Sequence, residues 1–155
     1  MPVEENLLYA ALLTFATAMV PVLELRGAIP VGVAAGLSPA AACAVSVLGN
    51  MVPVPFILLL IRRIFAWLRH TRFGPQIQRL ERRAHLKGEV VRKYRVPGLI
   101  ILVAIPLPGT GAWTGALVAA LLDIRMRHAV PAIFLGVVIA GAIVTTVTYG
   151  VVNLI

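Results

Sequence analysis

The chain has 155 residues, of which 60% are hydrophobic and 13% charged, and it carries a formal net charge of +8. Uncharged stretches cover residues 6–23, 27–61, 96–122 and 129–155. Because about 20 such residues cross a bilayer, this composition excludes a water-soluble domain. Most of the Lys and Arg lie within residues 62–95, and this localisation argues against a nucleic-acid partner. We therefore expect an all-α integral membrane protein, with residues 1–155 forming a single membrane domain.

Two ionisable residues, Glu24 and Arg26, lie inside the first hydrophobic region. Each costs about 2.5–3.5 kcal/mol at bilayer depth on insertion scales, so such residues usually mark a substrate or ion path. The helix is predicted to break around Pro21 to Pro30, in a stretch that also contains Gly27. The pattern indicates the tip of a re-entrant hairpin within residues 6–37, and it makes transport the expected function.

Residues 39–61 are predicted to form a full transmembrane span, which completes a first repeat over residues 1–61. Asn50 is a polar group at span depth. It either lines a pathway or hydrogen-bonds a neighbouring helix. Pro53 and Pro55 are predicted to kink this helix.

The basic segment 62–95 is predicted to link the two halves on the cytoplasmic side, by the positive-inside rule. Gly74 and Pro75 favour a helix start, and apolar residues then recur at helical spacing against a basic face, at Ile77, Leu80, Ala84, Val91 and Tyr94. The pattern predicts an amphipathic helix on the anionic inner leaflet. The alternative is a solvated connector whose charge only sets the topology.

The third hydrophobic stretch is predicted to break at residues 105–111, which contain Pro106, Pro108, Gly109 and Gly111. Irregular backbone at membrane depth survives only where protein or a water-filled cavity covers it. We therefore expect a second re-entrant hairpin over residues 96–122.

Charge placement gives a second argument for re-entrance. Arg125 and Arg127 lie on the same side as the basic linker only if residues 96–122 enter the membrane and return. Asp123 and Arg125 are then expected in an interfacial or gating cluster. With residues 129–155 as a full span, residues 96–155 form a second repeat that is inverted relative to the first. The competing topology is four simple spans.

The two predicted tips would form a site near the middle of the membrane. Helix N-termini that meet there suit an anion, and Arg26 adds a fork that matches phosphate or carboxylate. Glu24 either holds Arg26 or carries a proton. Thr110 and Thr114 supply hydroxyls, and Trp113 stacks on a ligand or packs against lipid. The alternative without a ligand is that Glu24 and Arg26 neutralise each other to stabilise the fold, and that the glycines serve only packing.

Residues 24–30 (ELRGAIP) and 106–115 (PLPGTGAWTG) resemble the signature segments of a bacterial and archaeal family of small multidrug export proteins. This family is distantly related to the DedA and VTT membrane proteins. The resemblance covers nearly the whole chain and implies two re-entrant hairpins that meet in the plasma membrane of a prokaryote. The DedA relationship further implies movement of an anionic lipid carrier such as undecaprenyl phosphate. DedA proteins have an Arg after the Pro-Gly turn of the second hairpin, where this chain has Thr110 and Gly111.

Three functional hypotheses follow. The first is translocation of an anionic lipid carrier, the second is multidrug export with proton coupling through Glu24, and the third is a structural or accessory membrane subunit. An enzyme is not expected, because the motifs of zinc and serine hydrolases are missing and the chain has one Asp. No cofactor or metal is expected. The expected partners are membrane lipids, the substrate and a second copy of the chain in a homodimer.

Overall fold

The computed structural model describes residues 3–76, 78–79, 82, 88–107 and 109–154, and these residues are largely α-helical. The helices of the first half are α1 (Val3–Met19), α2 (Glu24–Ala34), α3 (Pro39–Met51) and α4 (Pro53–Arg69). Those of the second half are α5 (Gly88–Ala104), α6 (Ala112–Leu121) and α7 (Met126–Leu154). The prediction of an all-helical protein is confirmed.

Two helical segments are long and apolar enough to cross a membrane among the described residues: Pro39–Arg69, which joins α3 and α4, and Met126–Leu154. Ser38 begins the first of them by accepting the Ala41 N–H at 3.2 Å, with Pro39 at the first helical position. The segment is interrupted at Val52, where the following proline lacks the N–H that a continuous helix needs.

Each half runs through a similar succession: a 17-residue helix, a break, a short helix, a four-residue turn and a long helical segment, which is interrupted at Val52 in the first half. The short helices also end alike, because Gly36 (φ 101°) and Asp123 (φ 52°) both adopt the left-handed conformation. In both turns the next N–H donates to the carbonyl five residues earlier at 2.9 Å. The two halves therefore share local geometry as well as helix order.

Helix α3 packs on α1 in the first half in the same way as α7 packs on α5 in the second half. Gly49 of α3 approaches α1 so closely that a Cβ would lie 2.6 Å from the Phe15 carbonyl oxygen. Gly136 of α7 approaches α5, and a Cβ there would lie 2.9 Å from the Ile100 carbonyl oxygen. Small residues at helix interfaces in membranes allow this close approach.

One hydrophobic core joins the two halves. Its largest fully buried side chains include Ile29 of α2, Leu58 of α4, Leu99 of α5 and Ile133 of α7. Helix α2 packs on α1, α3 and α7, and α6 packs on α4, α5 and α7. The two short helices are thus held from several sides, and this fixes where each of them begins.

The first break is shorter than the predicted range of residues 21–30. Gly27 and Pro30 were expected in an irregular tip, but both lie inside α2, and the break covers only residues 20–23. A proline removes one backbone hydrogen bond of a helix. Packing of α2 on its neighbours buries Ala28 and Ile29 completely, and this tertiary contribution offsets the loss.

The polar linker is also shorter than residues 62–95. Helix α4 continues to Arg69 and α5 already starts at Gly88, because charge marks a membrane boundary without ending a helix. Tyr94 belongs to α5 and is exposed. Residues 74–76, 78–79 and 82 are helical, whereas Ile77, Leu80 and Ala84 of the predicted amphipathic helix lie outside the described residues.

Candidate functional site at the contact between the two halves

Glu24 occupies the first position of α2, directly after the break at residues 20–23, and is only 4% exposed. Its Oε1 accepts the backbone N–H of Trp113, the second residue of α6, at 3.2 Å. The first N–H groups of a helix have no partner within the helix, and the dipole makes this end positive. The carboxylate from the first half therefore caps a helix of the second half.

Gly111 makes this contact possible. It precedes α6 in an extended conformation (φ 173°), so the need for glycine here comes from space and not from backbone strain. A Cβ at Gly111 would lie 1.7 Å from Oε2 and 2.5 Å from Cδ of Glu24. Any larger residue would occupy the position of the carboxylate.

Arg26 binds the break of the second half, residues 105–111. Its terminal nitrogens donate to the carbonyl oxygens of Leu107 and Ile105, the latter at 3.4 Å, and to Oγ1 of Thr110 at 3.0 Å. Carbonyl groups in a helix break lack helical partners and need donors from elsewhere. Arg26 supplies them, so the two predicted tips are in direct contact.

Glu24 and Arg26 thus each have hydrogen-bond partners in the other half of the chain. Both side chains join the two halves, so these contacts also agree with the alternative without a ligand, in which the pair only stabilises the fold. The contact combines a hydrogen-bond acceptor, Glu24, and a donor, Arg26, which lie two residues apart on α2. We call this set of contacts, from Glu24 and Arg26 to residues 105–113, the junction.

The hydroxyl groups of the second half hold its own backbone. Thr110 Oγ1 lies 2.7 Å from the Ile105 carbonyl oxygen, and Thr114 Oγ1 donates to the Gly109 carbonyl oxygen at 2.7 Å. Gly109 is exposed and left-handed (φ 81°), a conformation that favours glycine. The hydroxyls therefore shape the turn that Arg26 binds.

The remaining predicted site residues divide into three groups. Trp113 and Pro106 lie at the junction and are partly buried, while Pro108 lies outside the described residues. Asn50 is fully buried on α3. Asp123 and Arg125 are exposed beyond the far end of α6, about 15 Å along the helix from the junction, so the structure does not bring them to Glu24.

Sequence reasoning missed two polar residues. Arg62, assigned to the linker, donates from α4 to the Ile124 carbonyl in the turn after α6. Ser46 is completely buried on α3, one helical turn before Asn50. The only signal for Ser46 was a polar residue within an apolar stretch, and Arg62 had no local signal because its partner is 62 residues away.

Comparison with known proteins identifies the family. The sequence model of the family described as "Putative small multi-drug export protein" matches residues 24–143, from the first residue of the junction into α7. No curated protein and no solved structure matches the chain significantly. The DedA relationship and movement of an anionic lipid carrier thus gain no support here and stay predictions. Since the match covers well over half of the chain, this protein belongs to that family of small membrane export proteins, which is a class of transporters and not of enzymes.

Proposed function

We propose that the protein exports small organic cations across the membrane in exchange for protons, and that Glu24 carries the proton. The observation that carries this proposal is the buried Glu24 carboxylate bound to the N-terminus of α6 across the junction. Protonation removes the negative charge that this helix end stabilises and so weakens the contact. Proton binding is thereby linked to separation of the two halves at the point where a substrate would pass.

Few other ionisable groups lie on the helices around Glu24, where they could carry the proton instead. On its own helix the charged neighbour is Arg26, and the helices packed against α2 carry, by sequence, Glu4, Glu5 and Tyr9 on α1, Cys43 on α3, and Arg127, His128 and Tyr149 on α7. Residues 105–121 contain none. The charge state of Glu24 therefore acts mainly on Arg26 and on the N-terminus of α6.

The proposed arrangement in the membrane is an inverted repeat within one membrane domain. Helices α2 and α6 have 11 and 10 residues, and their lengths of about 16 and 15 Å are half of a hydrocarbon core of about 30 Å. Pairs α1–α2 and α5–α6 therefore suit re-entrant hairpins, and the two long helical segments suit full spans. We place the basic linker in the cytoplasm and the protein in the plasma membrane of a prokaryote.

A homodimer is part of the proposal. In the most apolar windows of the two long segments only 39% and 33% of the residues are buried within the chain. One copy thus leaves much of its helix surface for lipid or for a partner. A second copy would shield a polar pathway that two spans and two hairpins cover poorly.

Cysteine labelling tests the topology. In a Cys43→Ala background, Arg125→Cys is expected to react with an impermeant maleimide only from the cytoplasmic side, together with His70→Cys in the basic linker. Glu5→Cys near the start of α1 should react only from outside. Reaction of Arg125→Cys from the external side alone would show that α5 and α6 cross the membrane, and the re-entrant arrangement would be wrong.

Transport by the purified protein in liposomes tests the function. With an acidic lumen, proton efflux should drive ethidium uptake, and a gradient of about one pH unit supports about tenfold accumulation for a one-to-one exchange. Collapse of the pH gradient should abolish the accumulation of ethidium. Protein-free liposomes give the background.

A second probe separates the competing hypotheses. Both terminal nitrogens of Arg26 are bonded across the junction, so this conformation leaves no free fork for a phosphate. Movement of a short-chain polyprenyl phosphate without ethidium uptake would nevertheless establish a lipid translocase and overturn cation export. If a well-folded sample transports neither ethidium nor the polyprenyl phosphate, the result would favour the hypothesis of a structural or accessory subunit.

A further inference from the structure

The buried polar side chains among the described residues are Thr14, Glu24, Ser46 and Asn50, and all belong to α1, α2 or α3. Thr14 donates to the Ala10 carbonyl at 2.7 Å, and Glu24 accepts from α6. By contrast, Ser46 Oγ and both polar atoms of the Asn50 side chain have no hydrogen-bond partner within the described chain. Leaving such groups unsatisfied is costly, so they indicate a bound partner.

Helix register gives the order of these groups along the helix axes. A Cβ at Gly32 would lie 2.6 Å from Thr14 Oγ1 and 3.1 Å from Ala42 Cβ, so α1, α2 and α3 meet at this level. Glu24 lies eight residues before Gly32 on α2, and Asn50 lies eight residues after Ala42 on α3. Each of these separations corresponds to about 12 Å along the helix axis. Because α2 and α3 are joined by the short turn at residues 35–38, Asn50 lies near the level of Glu24.

Ser46 lies one turn before Asn50 on the same face of α3, since residues four apart share a face. Thr14 lies at the level of Gly32, closer to residues 35–38. The buried polar groups thus lead from Glu24 toward the turn at residues 35–38. In the proposed topology this turn lies on the external side.

The chemistry of these groups suits water. A serine hydroxyl and an asparagine amide each both donate and accept hydrogen bonds, as a water molecule does. A metal cation would leave the NH₂ group of Asn50 unpaired. Buried waters typically bind two to four polar groups, and a line of them conducts protons by exchange of O–H bonds.

We infer that Thr14, Ser46 and Asn50 hold a line of water molecules that carries protons between the external end of the first hairpin and Glu24. A proton that enters at residues 35–38 is passed along the waters, each accepting one proton and releasing another, and ends on the Glu24 carboxylate. This inference rests on the proposed proton exchange and names its path. Ser46 and Asn50 are positioning residues for the water.

The test uses the double variant Ser46→Ala/Asn50→Leu in proteoliposomes. Ethidium-linked proton flux, read with a pH dye on the opposite side, should be lost, because the waters that relay the proton lose their polar partners. Exchange of labelled ethidium at equal concentrations without a gradient should persist. The unfolding midpoint in SDS should not fall, because the substitution removes polar groups that lack protein partners.

Thr146→Val is the matched control, since the Thr146 hydroxyl on α7 is already bonded to the Ala142 carbonyl at 2.8 Å. It should leave proton flux unchanged. Equal proton flux in the double variant and the wild type would overturn the path, and so would a drop in unfolding midpoint that parallels the loss of flux.

A second measurement does not depend on transport. Hydrogen–deuterium exchange of the Glu24 carboxyl, measured at a pH where it is protonated and followed by its infrared band, should be slower in the double variant than in the wild type, because proton access is lost. The band is assigned with Glu24→Gln. Equal deuterium exchange rates in the double variant and the wild type would overturn the proposed proton path, even if neither protein transported ethidium. Absence of ethidium-linked proton flux in the wild type would instead count against the proposed function.

Discussion

Glu24→Gln is expected to abolish proton-driven accumulation of ethidium while the helical fold persists. The glutamine carbonyl can still accept the Trp113 N–H, so the junction keeps its hydrogen bond and loses only its charge. The loss of a charge at a helix N-terminus costs about 0.3–1 kcal/mol, or up to about 2 kcal/mol in a partly buried site. Without an ionisable group at this position, proton binding no longer weakens the contact.

The measurement is the ethidium accumulation ratio in proteoliposomes under an imposed pH gradient, which should fall from about tenfold to about 1. Circular dichroism and the SDS unfolding midpoint should stay close to those of the wild type. Glu5→Gln is the control, because Glu5 is an exposed carboxylate on α1. Accumulation in Glu24→Gln at the wild-type level would show that Glu24 does not carry the proton.

Gly111→Ala is expected to cause the largest loss of stability, because it forces the two halves apart. The new methyl group would occupy the place of the Glu24 carboxylate, 1.7 Å from Oε2. Overpacking costs about 1–3 kcal/mol, and loss of a hydrogen bond to a charged group costs about 1.5–3 kcal/mol. We therefore expect a loss of about 3–5 kcal/mol in the free energy of unfolding, together with loss of transport.

SDS titration of the purified protein measures this change. Gly98→Ala is the control, since a Cβ at Gly98 meets no atom within 4 Å and alanine should favour helix α5 by up to about 1 kcal/mol. Combining Gly111→Ala with Glu24→Ala removes the clashing carboxylate, so the double variant should be less destabilised than the sum of the singles. Additive effects would mean that Gly111 and Glu24 do not interact.

Much of the second half could be predicted from the sequence. Pro106 and Gly109 mark a break because proline lacks an N–H and glycine favours a left-handed turn, and both effects are local. The same local rule predicted a first break that is too long, residues 21–30 instead of 20–23. Pro30 is an interior helix residue because burial of neighbours such as Ile29 stabilises α2, a contribution that no local pattern contains.

The candidate site was predicted only in part. Glu24 and Arg26 were recognisable because ionisable residues in apolar sequence are costly and therefore conspicuous. Ser46 and Arg62 were missed, because a serine in an apolar helix and an arginine in a basic segment are ordinary locally. Their significance appears only when burial and the partner at Ile124 are known.

The sequence by itself determined that this is a helical membrane protein of an export family, because the length of apolar stretches and the family pattern are properties of the linear chain. Only the tertiary structure decided that Glu24 caps α6 and that Arg26 binds the second break. These contacts join residues 79 to 89 positions apart. Such pairing depends on how the described helices pack against one another, and no local propensity specifies it.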